Sequence, residues 1–179
     1  MNNIQKASYV LHLFFKSLCW LYPLVITYSI FFQINALIEL GVFDRLISSS
    51  TIHSTHFSWL HRGVIVLIEW IPMTFTLLIF HRLAKLFKLY QRGHLFEMDN
   101  IKVIKQISIF MIIGELIELI YQPLMTIALT FHNPAGQHIA SISMGSTNIN
   151  SLITAFIILV ASWIMKEAHQ LKTDAQLTI

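Results

Sequence analysis

The sequence predicts an all-α membrane protein, a bundle of four transmembrane helices with the N- and C-termini in the cytoplasm. Apolar residues make up 55% of the 179 residues, charged residues only 12%, and the mean hydropathy is +0.65. A soluble domain of this size carries about 25% charged residues. Ten of the twelve Lys and Arg residues fall in the N-terminal segment, a central hairpin and the tail. Because basic loops stay in the cytoplasm, these three segments are assigned to that side.

The four apolar runs form a single integral membrane domain that covers residues 1–179. A helix needs about 20 apolar residues to cross a bilayer, and the runs come close to that length. The segment Met1–Lys16 is amphipathic and is interpreted as an interfacial lead-in to the first span. Pro23 then lies near the start of that span, where a missing N–H is tolerated. The predicted spans are residues 17–37, 63–80, 103–129 and 151–165.

The hairpin His81–Lys105 joins the second and third spans and contains half of the Lys and Arg residues. Gly93 can end a helix in the left-handed conformation, and Asp99 is predicted to cap the next helix. Orientation in the membrane alone would account for the basic residues. The alternative is a docking surface for a cytoplasmic partner. Its candidate residues are Lys85, Lys88, Arg92, Gly93, Phe96 and Asn100.

Three acidic residues lie within predicted spans: Glu69 in the second, and Glu115 and Glu118 in the third. An acid inside a span costs about 2.5–3.5 kcal/mol, so it normally faces protein or water. The helical rise places Glu69 and Glu118 at similar depth if their helices are antiparallel neighbours. Glu115, Glu118 and Gln122 share one helical face. Interhelical hydrogen bonding, a proton or cation site, and a pocket for a small ligand all fit this pattern.

Two further patterns concern the packing of the spans. Pro72 and Pro123 are predicted to kink their helices near the acids and so to widen a polar cleft. In the fourth span, Ser151, Ala155 and Ser162 place small side chains on one face, where a neighbouring helix can approach closely. That neighbour is either another span of the same chain or a second copy in a homodimer.

The sequence also disfavours several classes of site. No histidine lies in the middle of a span, which argues against a haem between the helices. His53, His56 and His61 fall in the first outer loop, where they could bind zinc or sense pH, but their weak spacing and the lack of a supporting acid favour an ordinary solvated loop. Cys19 is the single cysteine, so a disulfide framework and a thiolate metal site are excluded. We therefore expect no enzymatic activity, no cofactor, no metal and no direct contact with nucleic acid.

Two short motifs resemble a bacterial family of four-span membrane proteins of unknown function. One is Arg92-Gly93-His94-Leu95-Phe96 with Asn100, at the turn between spans two and three. The other is the ending Glu167-Ala168-His169-Gln170-Leu171 with Asp174 and Leu177-Thr178-Ile179. Family members are often encoded beside a small Cro-like helix-turn-helix regulator. The resemblance thus implies a membrane partner of such a regulator. The tail of this chain has Asp174 but few other acids, so it departs from the acidic tail that is usual in the family.

Together, these features predict a non-enzymatic regulatory protein of the bacterial inner membrane. A signal from outside or within the bilayer would alter how the hairpin and tail bind a cytoplasmic DNA-binding regulator. The runner-up interpretation is a small transporter or channel subunit. In that case Glu69, Glu115 and Glu118 would form a path for protons or cations.

Overall fold

A computed structural model of the chain describes residues 3–53, 56–93, 97–143 and 145–177. Its described residues form four long α-helices and one 3₁₀ turn, and they contain no strand, which confirms the predicted all-α class. Successive helices pack side by side, so α4 packs chiefly on α3. Each predicted span lies inside one longer helix. The elements are α1 (Asn3–Glu39), the 3₁₀ turn (Ser49–Thr51), α2 (Trp59–Gln91), α3 (Met98–Thr130) and α4 (Ser146–Leu177).

Helix α1 begins much earlier than the first predicted span. The predicted lead-in is continuous with the same helix, and the prediction that Pro23 lies near the helix start is wrong, because Pro23 lies in the interior. The reason is tertiary packing against the end of α2. The ring of Phe15 stacks on Phe87 with centroids 5.7 Å apart, and His12 Nδ1 lies 2.8 Å from the Ala84 carbonyl oxygen. These contacts hold the amphipathic start of the chain in a helix.

A break in helical geometry lies in α1, at Gln33, and not at Pro72 or Pro123. Gln33 has φ −125° and ψ 26°, whereas α2 and α3 continue through their prolines. A break of this kind frees carbonyl groups that then need donors. Arg62 supplies one, because its guanidinium donates to the Phe31 carbonyl at 3.0 Å. The first turn of α2 is thereby tied to the broken part of α1.

Helices α2 and α3 form an antiparallel hairpin that is packed from one end to the other. Leu86 clusters with Val103 and Ile107 at the hairpin end. At the opposite end, His61 Nε2 lies 2.7 Å from the Ala128 carbonyl oxygen. Helix α3 therefore runs beside α2 along its full length.

The turn between these two helices is only partly as predicted. Gly93 has φ +84°, the left-handed conformation expected of it. The prediction that Asp99 caps α3 is wrong, because the helix begins at Met98 and Glu97 holds the N-cap position. Asp99 lies in the first turn instead, where it pairs with Lys102 at 3.7 Å. A carboxylate at this position still favours the helix through the macrodipole.

The first loop is a packed part of the core rather than a purely polar connection. It contributes four buried apolar side chains to the cluster that joins α1, α2 and α3: Phe43, Ile47, Ile52 and Phe57. Asn133, from the loop after α3, links the two loops. Its Nδ2 donates to the Thr51 carbonyl at 2.8 Å, and its Oδ1 accepts from the His53 N–H at 3.1 Å.

The chain after α3 turns back and runs along α3 in an extended conformation. Three side chains of α3, spaced four residues apart, accept hydrogen bonds from alternate backbone N–H groups of this segment. The donor–acceptor pairs are Ile139 N to Thr130 Oγ1 (3.0 Å), Ser141 N to Thr126 Oγ1 (3.2 Å) and Ser143 N to Gln122 Oε1 (2.6 Å). We call these three bonds the α3 ladder. Because of the ladder, α4 begins beside the middle of α3.

Helix α4 packs on α3 through a narrow stripe. Asn148, Ala155 and Ser162 are buried and recur every seven residues, while most other described side chains of α4 are exposed. Ala155 and Ser162 belong to the predicted small-residue face. In the structure this face packs against α3 of the same chain. Asn148 lies at the level of Glu115, about 22 Å below the end of α3 at Thr130.

Three of the described helices, α1, α2 and α4, are long and apolar enough to cross a membrane, which is typical of a membrane protein. Helix α3 is not among them. It carries the polar residues Glu115, Glu118 and Gln122, and most of the buried side chains of the described helices.

The ladder predicts that Thr126→Val destabilises the protein by about 1–3 kcal/mol, because the Ser141 N–H loses its acceptor in an apolar setting. The measurement is the free energy of unfolding in detergent, by denaturant titration. Thr154→Val is the matched control, since the Thr154 hydroxyl is exposed and donates within its own helix, to the Asn150 carbonyl. Equal stability of the two variants would contradict a structural role for the ladder.

Candidate functional site

A cavity of about 480 Å³ lies between α1, α2, α3 and the turn that follows α1. It lies beside the break at Gln33, because Ser29 and Ile30 line it on one side of the break and Leu37 on the other. Exposed Val42 and Arg45 line the cavity at the end nearest the turn after α1. Most of its wall is apolar, formed by Ile26, Ile30, Leu37, Val42, Phe43, Leu46, Pro72 and Met73.

Glu69 of α2 and Tyr121 of α3 meet in this cavity. The Tyr121 hydroxyl donates to Glu69 Oε2 at 2.6 Å. Tyr121 is buried, with 7% of its surface exposed. A hydrogen bond to a carboxylate contributes about 1.5–3 kcal/mol, so this pair links α2 and α3 at mid-length.

Glu118 takes its partners from two other places. Arg45 reaches it from the turn after α1, with Nη2 3.8 Å from Oε2, and Gln122 Nε2 donates to the same oxygen at 3.5 Å. The Arg45 side chain is half exposed, so solvent weakens this ion pair. Arg45 thus places a positive charge at the rim of the cavity, beside one of its two carboxylates.

The turn that carries Arg45 has a defined geometry. Gly41 has φ +70°, and the bonds from Gly41 N to Ile38 O and from Val42 N to Leu37 O, both 3.0 Å, form a Schellman motif at the end of α1. Asp44 accepts hydrogen bonds from the backbone N–H and the hydroxyl of Ser49, and these bonds lower the pKa of the Asp44 carboxyl. Residues on both sides of Arg45 are therefore held in place.

A second, smaller cavity of about 200 Å³ lies between α2, α3 and α4. Glu115 lines it and accepts a hydrogen bond from Asn148 Nδ2 at 3.0 Å. Pro72, Thr76 and Glu118 line both cavities and form the wall between them. Glu69 thus lines the larger cavity, Glu115 the smaller one and Glu118 both.

The structure brings together some of the predicted residues and separates others. Glu69 and Glu118 line the same cavity, as their depth suggested, whereas Glu115 faces α4. Gln122 is buried and makes two hydrogen bonds: its Oε1 accepts from Ser143 N in the α3 ladder, and its Nε2 donates to Glu118.

Sequence reasoning missed the three partners of the acids: Arg45, Tyr121 and Asn148. Tyr121 could have been found, because it follows Glu118 by three residues and so lies on a neighbouring part of the same helical face. Arg45 carried a weaker signal, as one of two basic residues in the first outer loop. Nothing in the sequence pointed to Asn148.

Comparison with known families gives one match. Residues 17–179 match the family described as Protein of unknown function (DUF2975). The chain belongs to this family. No curated protein and no solved structure matches the chain. The resemblance to a family of unknown function is therefore correct in that general form, and membership in DUF2975 assigns no activity to the two cavities.

The docking candidates of this DUF2975 protein are not all on its surface. Lys85, Lys88 and Arg92 are exposed and recur at helical spacing, so they form one basic face of α2. Gly93 is exposed beside them. Asn100 is fully buried, so its prediction as a docking residue is corrected: its side chain is packed inside the hairpin. Phe96 lies outside the described residues.

Histidines near the start of α2 and the end of α3 in this DUF2975 chain form part of an aromatic cluster. The rings of His61 and His132 are 4.7 Å apart, and Phe57 and Phe131 contact both. His138 Nδ1 lies 2.9 Å from the Thr130 carbonyl oxygen. Among the residues that the structure describes, no group of three or more His, Cys, Asp or Glu could hold a metal ion.

The contact between Glu69 and Tyr121 predicts energetic coupling in a double-mutant cycle. Glu69→Leu leaves the buried hydroxyl without its acceptor, so adding Tyr121→Phe should recover about 1–3 kcal/mol of the loss in unfolding free energy. Tyr9→Phe, near the start of α1, is the matched control and should combine additively with Glu69→Leu. Additive losses for Tyr121→Phe as well would show that the bond does not contribute to stability.

Proposed function

We propose that the chain is a non-enzymatic regulatory protein of a bacterial inner membrane. A small molecule in the larger cavity alters how the hairpin and tail bind a cytoplasmic partner. The observation that carries the proposal is the cavity itself. Its walls are mostly apolar, and its polar contacts are the Arg45–Glu118 ion pair and the Tyr121–Glu69 hydrogen bond. Ligand sites typically have about 300–1,000 Å³ of this kind of space.

In this proposal all four helices cross the membrane and both termini lie in the cytoplasm. Helix α3 accompanies α2 over its whole length, so it crosses the same thickness. Its polar residues Tyr121, Gln122, Thr126 and Thr130 are buried against protein rather than lipid. The distribution of Lys and Arg supplies the orientation, because ten of the twelve lie on the proposed cytoplasmic side.

The topology predicts which positions react with a membrane-impermeant thiol reagent. In a chain whose only cysteine, Cys19, is replaced by Ala, cysteines at the exposed positions Ser50 and Gln137 should be labelled in intact cells. Cysteines at Asp99 and Thr173 should be labelled only after the membrane is opened. Labelling of Thr173→Cys in intact cells would contradict a cytoplasmic tail, and with it a membrane crossing by α3.

The cavity is connected to the cytoplasmic segments through α3 and α4. Glu118 faces the cavity, and Glu115, one turn away, is bound to Asn148 in the first turn of α4. A ligand that shifts Glu118 would therefore act on the helix that continues to the tail. The basic face of Lys85, Lys88 and Arg92 is the docking surface, and the family resemblance suggests a helix-turn-helix regulator as the partner.

Docking on the basic face predicts that Lys88→Gln with Arg92→Gln releases the partner. Association held by exposed charges weakens with salt, so partner retention by the parent protein should also fall as salt rises. Lys102→Gln with Lys105→Gln removes the same charge from exposed positions on α3 and should retain the partner. Co-purification from native membranes, followed by mass spectrometry, measures both. Identical sets of co-purified proteins in the two variants would contradict a specific docking face.

The second candidate function is transport of protons or cations. It is favoured by the position of Glu118 in the wall between the two cavities, where a passing ion would meet a carboxylate on both sides. This function predicts ion flux into liposomes that hold the purified protein, and loss of that flux in Glu118→Gln. The regulatory proposal expects no flux in either.

A further inference from the structure

We propose that the larger cavity binds an organic cation: an amine with an apolar body, its ammonium group placed beside Glu69. This inference rests on the proposed function, because both require the cavity to be a ligand site. It adds the chemical class of the ligand. It follows from the charges, the rings and the shape of the cavity.

Acidic and basic side chains are unequal in number in the described lining of the cavity, which holds Glu69 and Glu118 but only one basic residue, Arg45. Arg45 pairs with Glu118 at 3.8 Å, so one positive and one negative charge are matched. Glu69 is bound by a neutral donor, the Tyr121 hydroxyl. Among the described residues that line the cavity, Arg45 is the one Lys or Arg. A ligand that carries one positive charge would match the carboxylate of Glu69.

The remaining lining suits an organic cation better than a metal ion. Three aromatic rings, those of Tyr22, Phe43 and Tyr121, line the cavity, and ring faces attract ammonium groups. A metal ion would fill a small part of about 480 Å³ and would leave the apolar walls in contact with water. A ligand with an apolar body buries those walls.

The shape points to an elongated ligand. On α1 the lining residues extend from Tyr22 to Leu37, a rise of about 22 Å along the helix. Glu69 contributes from α2 opposite this stretch, and Arg45 lies at the end nearest the turn after α1. An elongated amine can place its ammonium group beside Glu69 and lay its apolar body along α1.

The test uses three probes with the same apolar body: phenylbutylamine, phenylbutanol and phenylbutyrate. Their affinities for the purified full chain in detergent are measured by titration calorimetry. The amine should bind about tenfold more tightly than the alcohol, which corresponds to about 1.4 kcal/mol. Glu69→Gln keeps an acceptor for Tyr121 and should abolish this preference while retaining affinity for the alcohol. Glu167→Gln, an exposed acid of α4, is the control and should keep the preference.

Other outcomes overturn the inference in distinguishable ways. Equal binding of the three probes, or an amine preference that persists in Glu69→Gln, would leave a ligand cavity but refute the cation assignment. Tightest binding of phenylbutyrate would assign the site to an anion on Arg45. Failure of every probe to bind would also refute it. A separate experiment tests the proposed function. Ser29→Phe fills the cavity, and Ser17→Phe, on the exposed face of α1, is its control. The proposed function fails as well only if both variants bind the cytoplasmic partner equally.

Discussion

Backbone N–H groups that enter the region between apolar helices must find acceptors within the protein, and the α3 ladder meets this requirement. An unsatisfied N–H costs several kcal/mol in a lipid environment. Gln122, Thr126 and Thr130 remove that cost for the segment that runs back along α3. The Thr126 and Thr130 hydroxyls also donate to carbonyls of their own helix, so each is used twice. The level at which α4 starts, and hence its contact with Glu115, depends on these bonds.

The three buried or half-buried acids between the helices follow the same principle, and each takes a partner from a different element. Glu69 is bound by a tyrosine of α3, Glu118 by an arginine of the first loop and Glu115 by an asparagine of α4. Interhelical hydrogen bonding and a ligand pocket are therefore compatible interpretations. The acids link the helices, and the cavity is the space that these links leave unfilled beside the break in α1.

The sequence predicted what depends on local periodicity. The apolar runs located the four helices, the helical rise placed Glu69 and Glu118 at one level, and Gly93 has the conformation expected of it. It did not predict what depends on tertiary contacts. The first residues of α1 are helical because they pack on α2, and the first loop is buried because its apolar residues fill the outer core. The role of Gln122 in the ladder could not be read from its spacing to the glutamates.

Arg45 in the first loop and Arg62 in the first turn of α2 each bind a group on another helix, and the two partners become available at different times during synthesis. When Arg62 leaves the ribosome, the Phe31 carbonyl of α1 has already been made, so the junction of α1 and α2 can form early. If the protein has the proposed orientation, Arg45 crosses the membrane before its partner Glu118 has been made. In the proposed orientation, its charge therefore stays in water until α3 inserts. The cavity would then be completed late in biogenesis, when α3 brings Glu118 and Tyr121 against a preformed pair of helices.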